Sequence, residues 1–187
     1  MKSKRLNELR SIASRALSVL REQMEDLMCP LATQDIAVNT KNRNLTRDEH
    51  TYGPMNPLEP SEEYWEALAE KWEGATADEA KGMRCGNCVA FDVSDRMKSC
   101  MPISDEQIDP EDAEEIDVVD EELVGKPSSD FPGIPEDMFV GFGYCWMHHF
   151  KCHSARSCDT WAGGGPIDED EQSAEWQEKS AGAGGKQ

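Results

Sequence analysis

A mainly α-helical chain with long irregular stretches, little β structure and one small cysteine-rich domain is what three observations predict. Six of the seven cysteines fall between Arg84 and Pro166. Apolar residues make up only 37% and charged residues 30%, too polar a balance for a full-sized core in a chain of this length. The clear hydrophobic periods ahead of the cysteines are helical, with apolar positions three and four residues apart.

The first element is an amphipathic helix within 1–29. Leu6, Leu9, Ala13, Ala16, Leu20, Met24 and Leu27 form its apolar stripe, which is narrow, heptad-like and interrupted by Gln23. Such a stripe suits a partner helix, a second copy of the chain, or the chain's own core. Cys29-Pro30 ends it, because proline cannot continue the hydrogen-bond ladder.

Residues 30–60 show no sustained period and hold Asn39, Asn42, Asn44, Gly53, Pro54, Asn56 and Pro57, which predicts an extended arm. Tyr52-Gly53-Pro54-Met55-Asn56-Pro57-Leu58 combines rigid turns with apolar contacts and suits docking on a neighbouring subunit; a solvated linker is the alternative. Residues 61–82 form a helical lead-in. Ser61 is placed to cap a helix whose stripe is Tyr64, Trp65, Leu68, Ala69 and Trp72, and Gly74 ends it. Thr76 and Glu79 have capping-box spacing for a short second helix. Trp65 and Trp72 are either core residues or a lid over the cysteine-rich domain.

That domain spans 83–166 and contains an acidic insert, 104–130. Ser104 to Val124 carries eleven acidic residues and no basic one, the composition of a solvated, self-repelling segment. It lacks the Asp-x-Asp-x-Asp-Gly pattern of a calcium loop. Residues 167–187 read as a flexible acidic tail.

A formal charge of −19 repels phosphate backbones, so direct nucleic-acid binding is excluded and the favoured partners are proteins. No apolar run reaches the roughly 18 residues of a membrane span, and the N-terminus lacks the continuous apolar stretch of a signal peptide. These features predict a protein made in a reducing cytoplasm, where clustered cysteines bind metal more often than they pair as disulfides. No nucleophile-base pair, phosphate loop or HExxH helix is present, so no enzyme activity is expected.

Cys85-Gly86-Asn87-Cys88 puts two thiols on one tight turn, whose backbone N–H groups can also bond the sulfurs. Cys145, Cys152 and Cys158 cluster downstream beside Tyr144, Trp146, Phe150 and Trp161. The preferred ligand set is Cys85, Cys88, Cys145 and Cys158. Cys100 and Cys152 are then extras, paired with each other or free, and the competing set is Cys85, Cys88, Cys100 and Cys145. His148, His149 and His153 stand close enough in sequence to replace a thiol. Structural zinc sites tend to show two short-spaced pairs. Here one pair sits among many aromatics, a shell that suits a bulky 4Fe-4S cluster, with zinc as the alternative. The fold class is then completed: amphipathic helices and extended arms, plus a small cysteine-rich domain stapled by metal.

Arg84-Cys85-Gly86-Asn87-Cys88, Gly143-Tyr144-Cys145, Phe150, Cys158 and Trp161 together resemble a motif of small phage-encoded proteins, Cys-x2-Cys, Tyr-Cys, Phe, then Cys-x2-Trp. That motif is similar to the ligand spacing of high-potential iron-sulfur proteins, although in those the third ligand follows sooner and no acidic insert intervenes. The fuller version here looks like proteins of marine tailed phages. The resemblance covers about half the chain and implies a virion-associated or accessory protein with a cluster held by Cys85, Cys88, Cys145 and Cys158. It would be made in the host cytoplasm and would contact other virion proteins or its own copies. A small electron carrier and a zinc-stapled interaction module are the competing functions.

Overall fold

The computed structural model describes residues 29–101, 123 and 125–183. The N-terminal amphipathic helix and most of the acidic insert lie outside the described residues. At the centre is a three-stranded antiparallel sheet, order β1-β2-β3, formed by β1 (Phe91–Asp92), β2 (Phe142–Cys145) and β3 (Phe150–His153). Around it stand α1 (Leu31–Gln34), α2 (Ile36–His50), α3 (Glu62–Ala69), α4 (Ala77–Lys81), α5 (Asp95–Cys100) and α6 (Asp170–Ala183). The architecture is therefore a small mixed fold of helices and sheet, which corrects the expectation of a mainly α chain with little β.

The sheet escapes pattern reading for physical reasons. Its strands have two to four residues, too few for an alternation to register. The turn joining β2 and β3 has no Asn-Gly or Gly-x signature; the left-handed position is taken by His149, φ 54°. The pairing itself is regular. Phe91 opposes Cys145 and Asp92 opposes Tyr144; Gly143 opposes Cys152, and Cys145 opposes Phe150. Gly143 is needed because a β-carbon there would stand 2.6 Å from the Phe91 ring. Since successive residues alternate between faces, Phe91, Cys145, Phe150 and Cys152 share one face. Asp92, Phe142, Tyr144, Lys151 and His153 share the other.

The extended arm assigned to 30–60 is also corrected. Most of it is α1 and the fifteen-residue α2, which packs against β3. The stripe is missing because the helix attaches through polar groups. Asn39 Oδ1 accepts the Lys151 N–H at 2.7 Å, and the Asn42 amide donates to the His149 carbonyl at 2.8 Å. Those two amides cover two backbone groups at the free edge of β3, the Lys151 N–H and the His149 carbonyl just before the strand. Asp35 caps the helix by accepting the N–H groups of Ala37 and Val38. The Tyr52–Leu58 tract docks on this chain itself: Gly53 and Ser157 exchange both backbone hydrogen bonds, and Tyr52 packs edge-on against Phe150.

In 61–82 the helices are α3 and α4. Thr76 and Glu79 form the reciprocal capping box, whereas the Ser61 hydroxyl turns away to the Glu59 carbonyl. Trp65, Leu68, Ala69 and Ala80 make a small core of their own.

The tail assignment for 167–187 is overturned as far as Ala183. It forms α6, which packs on α5. Arg96 does the tethering: its backbone N–H meets Asp170 Oδ1 at 2.8 Å, and its guanidinium reaches Ser173 and Gln177. Trp176 covers the Met97, Cys100, Met101, Tyr144, Trp146 and Ile167 core. A mostly polar helix is held here by three bonds to one arginine rather than by a broad apolar face. The end of the acidic insert is anchored too, since Leu123 and Phe131 are buried together with Ala155. Among the described residues no helix is long and apolar enough to cross a membrane.

Candidate metal centre

Three separate stretches build the site. The first is the turn Cys85–Asn87, a single 3-10 turn braced on all sides. Its N–H groups at Cys85 and Gly86 donate to the carbonyls of Arg156 (2.7 Å) and Ser154 (3.1 Å). Asn87 Oδ1 accepts the Arg84 N–H and the Trp161 indole N–H, and its amide donates to the Gly82 carbonyl. Gly86 admits no side chain, because a β-carbon would lie 2.0 Å from the Met138 carbonyl oxygen. The second stretch is the β2-β3 hairpin, which presents Cys145 and Cys152 as diagonal neighbours on one face. The third is Cys158 to Gly165, folded back over the turn: Val89 N–H donates to Ala162 at 2.8 Å and Gly165 N–H to Asn87 at 3.2 Å.

Together they surround one cavity whose wall contains Cys85, Cys88, Cys145, Cys152 and Cys158, closed by Val89, Ala90, Phe91, Met147, Thr160, Trp161 and Ala162. All five thiols are free. Cys152, 1% exposed, lies deepest, and its side chain interacts with those of both Cys85 and Cys145. The five cysteines come from three separate stretches and line this one small cavity. Among the described residues no three His, Cys, Asp or Glu side chains are arranged to hold a single metal ion.

The four preferred ligands and Cys152 are thus gathered at one place. Cys100 is not: it forms a disulfide with Cys29, Cα–Cα 5.4 Å, in the separate core under α5 and α6. This removes the set containing Cys100 and the pairing of Cys100 with Cys152, and it gives Cys100 a different partner, Cys29. Pairing across 71 residues has no local spacing signal. The histidines stand outside the cavity wall. His148 Nε2 is bonded to Thr160 Oγ1 at 2.7 Å and lies 4.0 Å from Cys158 Sγ. His149 faces the Tyr144 hydroxyl. His153 stacks on Phe131 and accepts the Ala155 N–H. Trp72 is neither free lid nor deep core; its indole N–H donates to the Asp159 carbonyl at 2.9 Å.

Backbone N–H groups of Met147 and His148 are directed at the Cys145 sulfur, those of Ala90 and Ala162 at Cys88, and that of Thr160 at Cys158. Such donors favour the thiolate and are how a protein tunes sulfur ligands. Bonding from Cys152, with those two N–H groups, takes Cys145 below the ordinary thiol value despite its burial. Burial drives Cys152, Cys158 and Cys88 upward, so without a cation in the cavity these three stay protonated. Burial also brings His148 down to about 4 and, with Arg156 nearby, His153 down to about 3.

No family model, curated protein or solved structure matches this chain. The function therefore has to be read from the cavity itself. Cys152 and Arg84 are the functional candidates that sequence spacing does not rank. Cys152 was visible only as one more cysteine, and its face on the sheet follows from the hairpin register. Arg84 carries no signal beyond its place beside Cys85.

Proposed function

We propose that the five-thiol cavity is the seat of a 4Fe-4S cluster held by the thiolates of Cys85, Cys88, Cys145 and Cys158, and that the cluster staples a structural, non-enzymatic protein of a phage particle. The observation that carries the cluster is the convergence of these thiols, from three distant stretches, around one space walled by carbon and sulfur. A tetrahedral zinc ion draws four sulfurs to about 2.3 Å of one point, whereas a cluster takes its thiolates from around a wider space, and five free cysteines line this cavity. The backbone N–H groups aimed at Cys88, Cys145 and Cys158 suit sulfur ligands of a cluster. When bound, the cluster supplies bonds joining the turn, the hairpin and the closing loop. The residues do the rest: Phe91, Trp161 and Val89 exclude water, and Cys152 lies against Cys85 and Cys145.

The particle setting is supported by the resemblance of the Cys-x2-Cys, Tyr-Cys and Cys-x2-Trp pattern. Partners would be other virion proteins or copies of this chain. Anaerobic purification with iron and sulfide analysis and a visible spectrum tests the cluster: brown protein with iron and sulfide in equal amounts is expected, and colourless metal-free protein ends the proposal. Constant copy number in purified particles tests the setting. Zinc held by four of the same thiolates is the second reading, and the same metal analysis identifies it.

A further inference from the structure

Arg84 is 2% exposed, and a guanidinium in such a place ordinarily has a carboxylate against it. This one does not. Its Nε donates to the Lys81 carbonyl at 2.7 Å, Nη1 to the Ala155 carbonyl at 2.7 Å and Nη2 to the Gly133 carbonyl at 3.4 Å. Its remaining contact is the face of Trp65, 4.5 Å from the ring centroid. No carboxylate of the described residues forms an ion pair with it. Neutral acceptors satisfy the donors but leave a net positive charge in a dry setting, which is costly. Arg84 also holds the entrance to the cysteine turn, with its carbonyl accepting the Trp161 indole N–H at 3.0 Å, and its charge acts on Tyr64 first and then on Cys85, the next residue in the chain.

We propose that Arg84 is the built-in counter-charge of the metal centre. The inference rests on the proposed metal-holding role of the cavity, and it deepens that role by assigning the centre a sign. Four thiolates around either a 4Fe-4S cluster or a zinc ion carry net negative charge. A cation fixed beside Cys85 stabilises that charge, and the loaded centre relieves the cation in return. Net charge near a cluster is one of the factors that set its potential. Arg84 is on this account a positioning residue for charge and not a ligand.

The test uses the full chain, as wild type, Arg84→Gln, Arg84→Lys and the surface control Lys179→Gln, each measured metal-free, loaded with iron and sulfide without air, and titrated with cobalt(II). Loading is expected to raise the melting temperature of Arg84→Gln by less than it raises wild type, and cobalt(II) affinity is expected to fall about tenfold or more. For an iron-sulfur centre the midpoint potential moves negative. Arg84→Lys and Lys179→Gln load like wild type. If Arg84→Gln is less stable in both states by the same amount and binds cobalt(II) as wild type does, Arg84 is a carbonyl clamp only and the inference falls while the cavity reading stands. Arg84→Lys binding as weakly as Arg84→Gln overturns it as well, since the charge was kept. Should Arg84→Gln not fold unloaded, Arg84→Lys decides: near-wild-type cobalt(II) affinity supports the charge, and loss refutes it. Wild type that takes up neither iron and sulfide nor cobalt(II) removes the cavity reading and this inference together.

Discussion

The two faces of one short sheet carry two different kinds of core. On one face Phe91, Cys145, Phe150 and Cys152 join Tyr52, Val93, Cys85, Cys88 and Cys158 in a cluster rich in free thiols. On the other, Tyr144 packs with Trp146, Met97, Met101, Ile167 and Trp176, and its only cysteines are the oxidised pair Cys29 and Cys100. Asp92 sits fully buried on this second face, its carboxylate accepting from Trp146 Nε1 and from the Ser94 hydroxyl and N–H. The second core is closed by hydrocarbon, hydrogen bonds and a covalent bond, and needs nothing further. The first leaves a hole lined by sulfur. One fold thus protects its cysteines in two ways, by a disulfide in an ordinary core and as free thiols enclosed around a cavity.

The largest effect that would break this comparison is loss of the proposed cluster from the thiol core. Cys88→Ser with Cys145→Ser, or chelation without air, is expected to abolish metal uptake and the cooperative melt reported by near-UV signals of Trp72 and Trp161. A stripped protein that melts as sharply and as high as the loaded one would show that the hole is harmless.

Next come the glycines that let the backbone close on the site. A β-carbon at Gly165 would lie 1.8 Å from the Cys88 carbonyl oxygen, and one at Gly86 2.0 Å from that of Met138. Each to alanine should cost about 3 kcal/mol or more by displacing main chain, read in denaturant melts, with metal content falling alongside.

The Cys29–Cys100 bridge sharpens the comparison. Closing 71 residues of separation corresponds to about 4 kcal/mol by loop entropy, with 2 to 4 the usual yield. The double Cys29→Ala, Cys100→Ala variant should lose that stability and take up the proposed cluster as wild type does. A variant that also loses metal would mean the two cores are one unit.

His153, on the second face of β3, gives a pH dependence independent of the bridge. Its folded value near 3 lies below the ordinary value of 6.5, because burial and Arg156 oppose its protonation. The unfolded chain then binds the extra proton between those values, so stability is full above about pH 6.5 and declines as pH falls toward 3. The contribution is up to about 2 kcal/mol at pH 5. His153→Phe should flatten that slope in acid melts; an unchanged slope would assign it to other groups.

The smallest effect is at the sheet edge, where Asn39→Ala leaves the Lys151 N–H without its 2.7 Å partner. About 1 kcal/mol is expected, together with faster amide exchange at Lys151.

How much of this was legible varies with the range of the interaction. Cys-x2-Cys is a local device: two thiols on one turn follow from spacing alone, and the Thr76–Glu79 capping box is equally short-range. The helix at Ile36–His50 was not legible, because its attachment is through Asn39 and Asn42 to atoms more than a hundred residues away. The helix at Asp170–Ala183 looked like a polar tail since its anchor, Arg96, lies in another element.

What the amino-acid order settled by itself was chemistry: which side chains are thiols, where charge accumulates, and where short turns and caps form. Partners distant in the chain were decided by tertiary structure alone. Cys29 chose Cys100, Cys152 joined the cavity through the hairpin register, and Arg84 was buried against carbonyls of Lys81, Ala155 and Gly133. The physical reason is that propensities and turns act over a few residues, whereas register, burial and enclosure are properties of segments that meet only after the chain has closed on itself.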